Sequence, residues 1–244
     1  MCVCTESSKG KTILLGLTTT PGSDWREKTA EIDKFGLREI ALFPTCLEVR
    51  ERQELYAMLE KTCIESIPHV HLRYDMAREE LDYLIGRFNT RAFNIHCERE
   101  GHGRFPDYPE WRHMVYFENT TYLPTSAELD RFPGICIDFA HLQNARRKGN
   151  EHYAHFGDLL AKYPIGCCHV SAFPRRIQDD PSAVWPYEGH YLEDLHDLDY
   201  MAKYAGYLPD LVSIEVENPF LEQLVMGEYL SRMVSSGCVE RTPG

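Results

Sequence analysis

The sequence predicts an α/β protein, a single closed (β/α)8 barrel spanning its 244 residues. Three observations predict it. Eight short apolar, β-rich runs alternate with helical patterns along the chain, as parallel strands joined by crossover helices do. Closing eight such units into a ring leaves no unpaired edge strand, which favours a barrel over an open sheet. The turn after the first run, "GLTTTPGSDW", also lacks the glycine spacing of the dinucleotide sites found in doubly wound sheets.

The candidate strands fall at 13–18, 39–43, 67–72, 92–96, 114–118, 134–138, 166–170 and 212–216. Helical patterns separate most of them: "DWREKTAEIDKF", "LEVRERQELYAMLEKT", "MAREELDYLIGRF", "SAELDRF", "NEHYAHFGDLLAKY" and "LEDLHDLDYMAKYAGYL", with "FLEQLVMGEYLSRMV" after the last strand. Only "FPDYPEWR" lies before the fifth strand, so the units between strands three and six are expected to be short. Residues 1–11 precede the first unit and are expected to be loosely attached. The longest nonhelical stretch, 171–189, has the length of a lid or binding loop.

Composition narrows the class. Hydrophobic residues at 43% and charged residues at 26% suit a soluble globular chain, and no apolar run approaches the roughly 20 residues that cross a bilayer. The start "MCVCTESSKGK" lacks the apolar core of a secretory signal, so a cytoplasmic location is expected. Nine cysteines, an odd number without repeated spacing, argue against a disulfide framework, and Cys167 and Cys168 read as small buried hydrophobes. The net charge of −12 opposes nonspecific attraction to nucleic acid or to an anionic membrane.

The apolar runs end on chemistry. His69 and His71 close the third strand, His96 the fourth, Glu118 the fifth, Asp138 the sixth, His169 the seventh, and Glu215 with Glu217 the eighth. In a barrel these ends converge on one face, where active sites of this fold lie. His141 follows Asp138 around the strand-to-helix corner, and Glu188 and His190 come from the long loop. Converging carboxylates and imidazoles repel unless a cation sits among them, and this mixed donor set suits zinc, manganese or iron.

In chain order, "YFENT", "GICIDFAH", "HVSA", "EGHYLED" and "IEVEN" resemble the xylose-isomerase-like TIM barrels, most closely the endonuclease IV (AP endonuclease family 2) branch. "ALFPT" and "IPHVHLRYDM" are similar to the N-terminal half of that branch. The resemblance implies up to three zinc ions held by His69, His96, Glu118, Asp138, His141, His169, Glu188, His190 and Glu215, with Glu118 bridging two of them. Glu188 stands where the branch has Asp, and His71 rivals His69 for its place. Sugar isomerases of the same superfamily place Glu, Asp, His and Glu on strands five to eight around one divalent ion, manganese among the candidates.

Two enzyme readings follow from that resemblance. In the first, a metal-dependent phosphodiesterase acts at abasic sites in DNA, with Glu118, Glu215 and His169 as catalytic residues. Its substrate contacts would be His71, Tyr74, Arg175 and Arg176, helped by basic "ARRKG" (145–149) and by stacking on Trp185 and Tyr187. In the second, an isomerase or epimerase acts on a small sugar or sugar phosphate, with Glu118 and Glu215 exchanging protons beside a polarised carbonyl. A metal-binding barrel without turnover is the non-enzymatic reading. Neither enzyme reading requires a membrane or a protein partner.

Overall fold

The computed structural model describes residues 11–100, 108–174 and 189–236. Nine strands form one all-parallel sheet: β1 (Thr12–Leu14), β2 (Gly16–Thr18), β3 (Glu39–Phe43), β4 (Ser66–His71), β5 (Ala92–His96), β6 (Val115–Glu118), β7 (Ile135–Asp138), β8 (Ile165–Val170) and β9 (Leu211–Ile214). Their order is β1-β9-β8-β7-β6-β5-β4-β3-β2. Since β1 and β2 are one stave interrupted at Leu15, the ring closes on itself: β1 pairs with β9 and β2 with β3. The Leu15 carbonyl still accepts from Ala41 N at 2.8 Å, which bridges the interruption. Eight staves and a closed ring make this a (β/α)8 barrel.

The helices lie outside the ring: α1 (Trp25–Phe35), α2 (Val49–Leu59), α3 (Arg78–Phe88), α4 (Ser126–Leu129), α5 (Phe139–Lys148), α6 (Phe156–Lys162) and α7 (Phe220–Ser236). Local signals set their ends. The Asp24 carboxylate accepts from Glu27 N at 3.0 Å to start α1, and Gly36 in the left-handed region (φ 63°) stops it. The shortening expected between strands three and six falls on two units. The four-residue α4 joins β6 to β7, and only 3-10 turns are described between β5 and β6, whereas α3 keeps eleven residues. The pattern at 193–208 forms a 3-10 helix, Leu195–Tyr207, rather than an α-helix. Residues 1–10 lie outside the described set, and Lys11 is tied by its ammonium to the Leu208 carbonyl.

Two apolar layers follow from strand alternation. Outward residues such as Ile40, Val70, Ile95, Phe117, Ile137, Cys168 and Val212 pack under the helices. A smaller inner cluster of Leu14, Ala41, Phe43, Ala92, Cys136, Cys167 and Leu211 fills the barrel axis. Above and among it the inward positions turn polar, which is where the site is built.

One buried charge supports the outer layer. Arg52 on α2 is fully buried; its guanidinium forks onto Glu80 of α3 at 2.7 and 3.0 Å and also reaches Asp75 and the Leu47 carbonyl. Arg52→Ala removes the cation and leaves these acceptors facing a cavity. Because Glu80 and Asp75 keep some exposure, the expected loss is about 2 kcal/mol, below the usual range for breaking a fully buried pair. Urea unfolding of the variant measures it; an unchanged midpoint would show that the ion pair contributes nothing net.

Candidate metal centre

Strand alternation and parallel register bring the chemistry to one mouth. His96 is registered with Glu118 across β5 and β6, and Asp138 with His169 across β7 and β8. Glu118 lies at the centre. His71 Nε2 is 3.1 Å from its Oε2, His96 Nε2 3.6 Å from its Oε1, and His169 Nδ1 3.8 Å from its Oε2. His169 Nδ1 also stands 3.0 Å from Glu215 Oε2. Two sets of three donors therefore lie within 4.8 Å of one another and share Glu118: His71 with His96, and Asp138 with His169. Phe43 forms the apolar floor, edge-on to His169 at 4.9 Å between ring centroids.

Electrostatics explains what such a cluster needs. Glu118, Asp138 and Glu215 are 2%, 2% and 6% exposed, so three carboxylates share a poorly solvated space. Burial alone would push the Glu118 carboxyl up, but the His169, His96 and His71 imidazoles outweigh it and hold it well below its ordinary value. Glu215 is drawn down to about 2, chiefly by His169 acting against burial. His169 itself is raised to about 10, because Glu118 and Glu215 overcome its burial. His96 moves the other way, to about 3, through burial and its imidazole neighbours His71 and His141. The carboxylates thus draw positive charge toward His169, which lies 3.8 Å from Glu118 and 3.0 Å from Glu215, the charge that a bound ion would supply instead.

The donor geometry fits a metal better than it fits hydrogen bonds. His71 Nε2 and His169 Nδ1 approach carboxylate oxygens at 3.1 and 3.0 Å, yet neither is aligned as a hydrogen bond, and both nitrogens are buried without such a partner among the described residues. Two ligands each about 2.1 Å from a common ion, at roughly tetrahedral to square angles, stand about 3.0–3.4 Å apart. Imidazole and carboxylate together suit a divalent transition ion or magnesium. Glu118, Asp138, His169 and Glu215 would hold one ion, and His71 with His96 would complete a second position on Glu118.

The remaining expected residues have definite places. Asp138 caps α5, accepting from His141 N at 2.7 Å through Oδ1, and its Oδ2 lies 3.8 Å from His141 Nε2. His190 holds the Glu215 carbonyl through Nδ1 at 3.3 Å. Glu217 has left the strand and accepts from Thr20 N at 3.1 Å, away from His169. Tyr74 donates its hydroxyl to the His96 carbonyl at 2.6 Å, fixing the loop after β5. His69 sits a layer below the mouth with Nδ1 on Ser213 Oγ at 2.7 Å, while His71 meets Glu118. The basic run 145–149 covers the last turn of α5, where Arg146, Arg147 and Lys148 complement the helix dipole. Arg175, Arg176, Trp185, Tyr187 and Glu188 lie outside the described residues.

Sequence reasoning passed over Asn94, whose amide donates to Glu118 Oε2 at 2.5 Å and leaves Oε1 to face His96. Its signal was available: it lies two residues before His96 on one strand, hence on the same inward face. Lys28 was also missed. It lines a cavity of about 350 Å³ beside the mouth with Thr18, Trp25, Tyr191 and Glu217, and burial lowers its ammonium to about 7 against Glu217 and Glu31.

No protein-family model and no curated protein matches the chain. Among solved structures it is similar to a xylose isomerase-like TIM barrel protein from Mycobacterium smegmatis in complex with magnesium, at 13% identity and TM-score 0.47, over 96% of this chain and 100% of that one. It is also similar to the probable 3-DHS dehydratase AsbF of petrobactin synthesis from Bacillus anthracis, at 12% identity and TM-score 0.42, over 95% and 100%. A third is the 3-keto-D-glucoside 4-epimerase YcjR from E. coli, at 15% and 0.39, over 91% and 99%. The chain's own strand order and closure are what make it a (β/α)8 barrel.

Proposed function

We propose that this protein is a divalent-metal-dependent isomerase or epimerase that moves a proton at carbon beside the carbonyl of a small polyhydroxylated substrate. One observation carries the reading: Glu118 on β6 and Glu215, just after β9, flank the His169 ring at 3.8 and 3.0 Å, both nearly dehydrated and both held below the ordinary carboxylate range. With Asp138 they form the four-residue set that one ion requires. The position of His69 adds support, since it sits on Ser213 a layer below the mouth, outside the two donor triads that share Glu118. The acidic total of −12 also suits a small substrate better than a polyanion.

A bound divalent ion would polarise the substrate carbonyl and acidify the neighbouring C–H. The chain's own residues do the rest. Asn94 holds one Glu118 oxygen, which orients the other; His169 positions Glu215 from 3.0 Å. Either carboxylate can then accept the proton and return it to the adjacent carbon or to the opposite face.

A second reading has a specific observation behind it. His71, His96 and Glu118 form a further donor triad sharing Glu118 with the first, and paired ions recur in phosphoester hydrolysis, including cleavage at abasic sites in DNA. One experiment separates the two. Manganese- or magnesium-loaded protein is incubated in D2O with a panel of ketoses and ketose phosphates, and in parallel with an abasic duplex. Deuterium entering the carbon beside the carbonyl, lost on chelation, is the expected result. Cleavage of the duplex without any exchange would replace this reading with the hydrolase.

A further inference from the structure

Below the mouth the barrel interior carries a second set of ligand-type side chains that the proposed reaction does not use. Cys136 on β7 and Cys167 on β8 are register partners, so their inward thiols lie side by side. Cys167 sits beside Cys136 in the same inner cluster on the barrel axis. Donor atoms of His69, Cys136 and His169 lie within 4.8 Å of one another. All four residues are fully buried.

Two further facts point to a ligand rather than to packing. His69 spends Nδ1 on Ser213 and leaves Nε2 buried without a partner among the described residues. His169 presents Nδ1 to Glu118 and Glu215 and leaves Nε2 in the same state. Two orphan imidazole nitrogens beside two thiols, ringed by Phe43, Leu14 and Ala41, are costly as filler, because an apolar side chain would occupy that space without burying a polar atom. Two thiolates and two imidazoles are the donor set of closed tetrahedral zinc sites.

We propose that His69, Cys136, Cys167 and His169 form a buried soft-metal site, filled by zinc or a similar thiophilic ion, one layer below the hard-ion mouth. His169 is common to both levels, with Nδ1 toward the mouth and Nε2 toward the thiols. The lower ion would clamp β4, β7 and β8 together and fix the ring that holds Glu118 and Glu215. The thiols release their protons to solvent as the ion enters, His169 also gives up its ring proton when both levels are filled and it bridges them as an imidazolate, and no oxidant is involved. This inference stands apart from the reaction assigned to the mouth: failure to find proton exchange leaves it untouched.

Cobalt(II) tests it, because thiolate ligation produces an intense near-ultraviolet charge-transfer band that the nitrogen and oxygen donors of the mouth cannot give. Chelator-stripped protein is titrated with cobalt alone. The expected result is that band at one equivalent per chain, lost in Cys136→Ser and in Cys167→Ser and kept in the Cys2→Ser/Cys4→Ser double variant. Zinc should bind at one equivalent per chain more than manganese does. Should the cysteine variants fail to fold, X-ray absorption of the zinc-loaded wild-type protein decides, with sulfur expected at about 2.3 Å. No band and only nitrogen and oxygen around zinc would overturn the proposal, as would a band that follows Cys2 and Cys4.

Discussion

Glu118→Gln is expected to lower kcat/KM by at least about a thousandfold, equivalent to about 4 kcal/mol of transition-state stabilisation, while the barrel stays folded. Glutamine keeps the shape and can still accept from Asn94, so packing changes little. What disappears is the charge on which the mouth is organised: three imidazoles lie 3.1 to 3.8 Å from this one carboxylate, and both donor triads share it. The amide would also turn an N–H toward His71 or His96. Equilibrium dialysis with manganese should show binding at the mouth weakened in parallel, and circular dichroism should show an unchanged fold. A variant within tenfold of wild-type turnover would remove Glu118 from the reaction, whichever substrate the enzyme takes.

Gly16→Ala is expected to cost about 3 kcal/mol or more in stability. Gly16 begins β2 where the first stave passes from β9 to β3. A Cβ there would lie 2.0 Å from the Ile214 carbonyl oxygen and 3.1 Å from the Phe43 ring. The first is backbone and cannot rotate aside, so β9 itself must move; overpacking of this kind falls at the upper end of the usual range or beyond it. Gln223 makes the shift harder, because its amide clasps both the Gly16 N–H and its carbonyl, at 2.8 and 3.0 Å. Glu215 follows Ile214 directly, so displacing β9 also spoils its approach to His169, and turnover should fall about tenfold as well. Urea unfolding and steady-state kinetics on the one variant test both statements; a loss under about 1 kcal/mol would show that the seam is loose.

The strand count and the strand-end residues could be read from sequence because they depend on local pattern. A short apolar run is a strand wherever it falls in a barrel, and a residue at its C-terminal end reaches the mouth. Glu118, Asp138 and His169 are placed by that rule and lie together. Asp138 shows its limit, since a residue at that strand end can serve two ends at once: it caps α5 through Oδ1 and also stands in a donor triad with Glu118 and His169.

Residues two apart on a strand share a face, so sequence pattern treats His69 and His71 alike, and Glu215 and Glu217 alike. Barrel shear separates the first pair by setting which inward layer is the mouth: His71 faces Glu118 while His69 reaches Ser213 on the far wall. The chain's departure from β9 separates the second, turning Glu217 to Thr20. Adjacent Cys167 and Cys168 differ for the opposite reason, alternation sending one to the axis and the other under the helices. The order of elements and the chemistry at strand ends are thus properties of local sequence, because periodicity and residue type are local. Depth along the axis, the partner across the ring and the cation each carboxylate meets arise only when the sheet closes with its stagger, since closure alone brings strands far apart in sequence within a few ångströms.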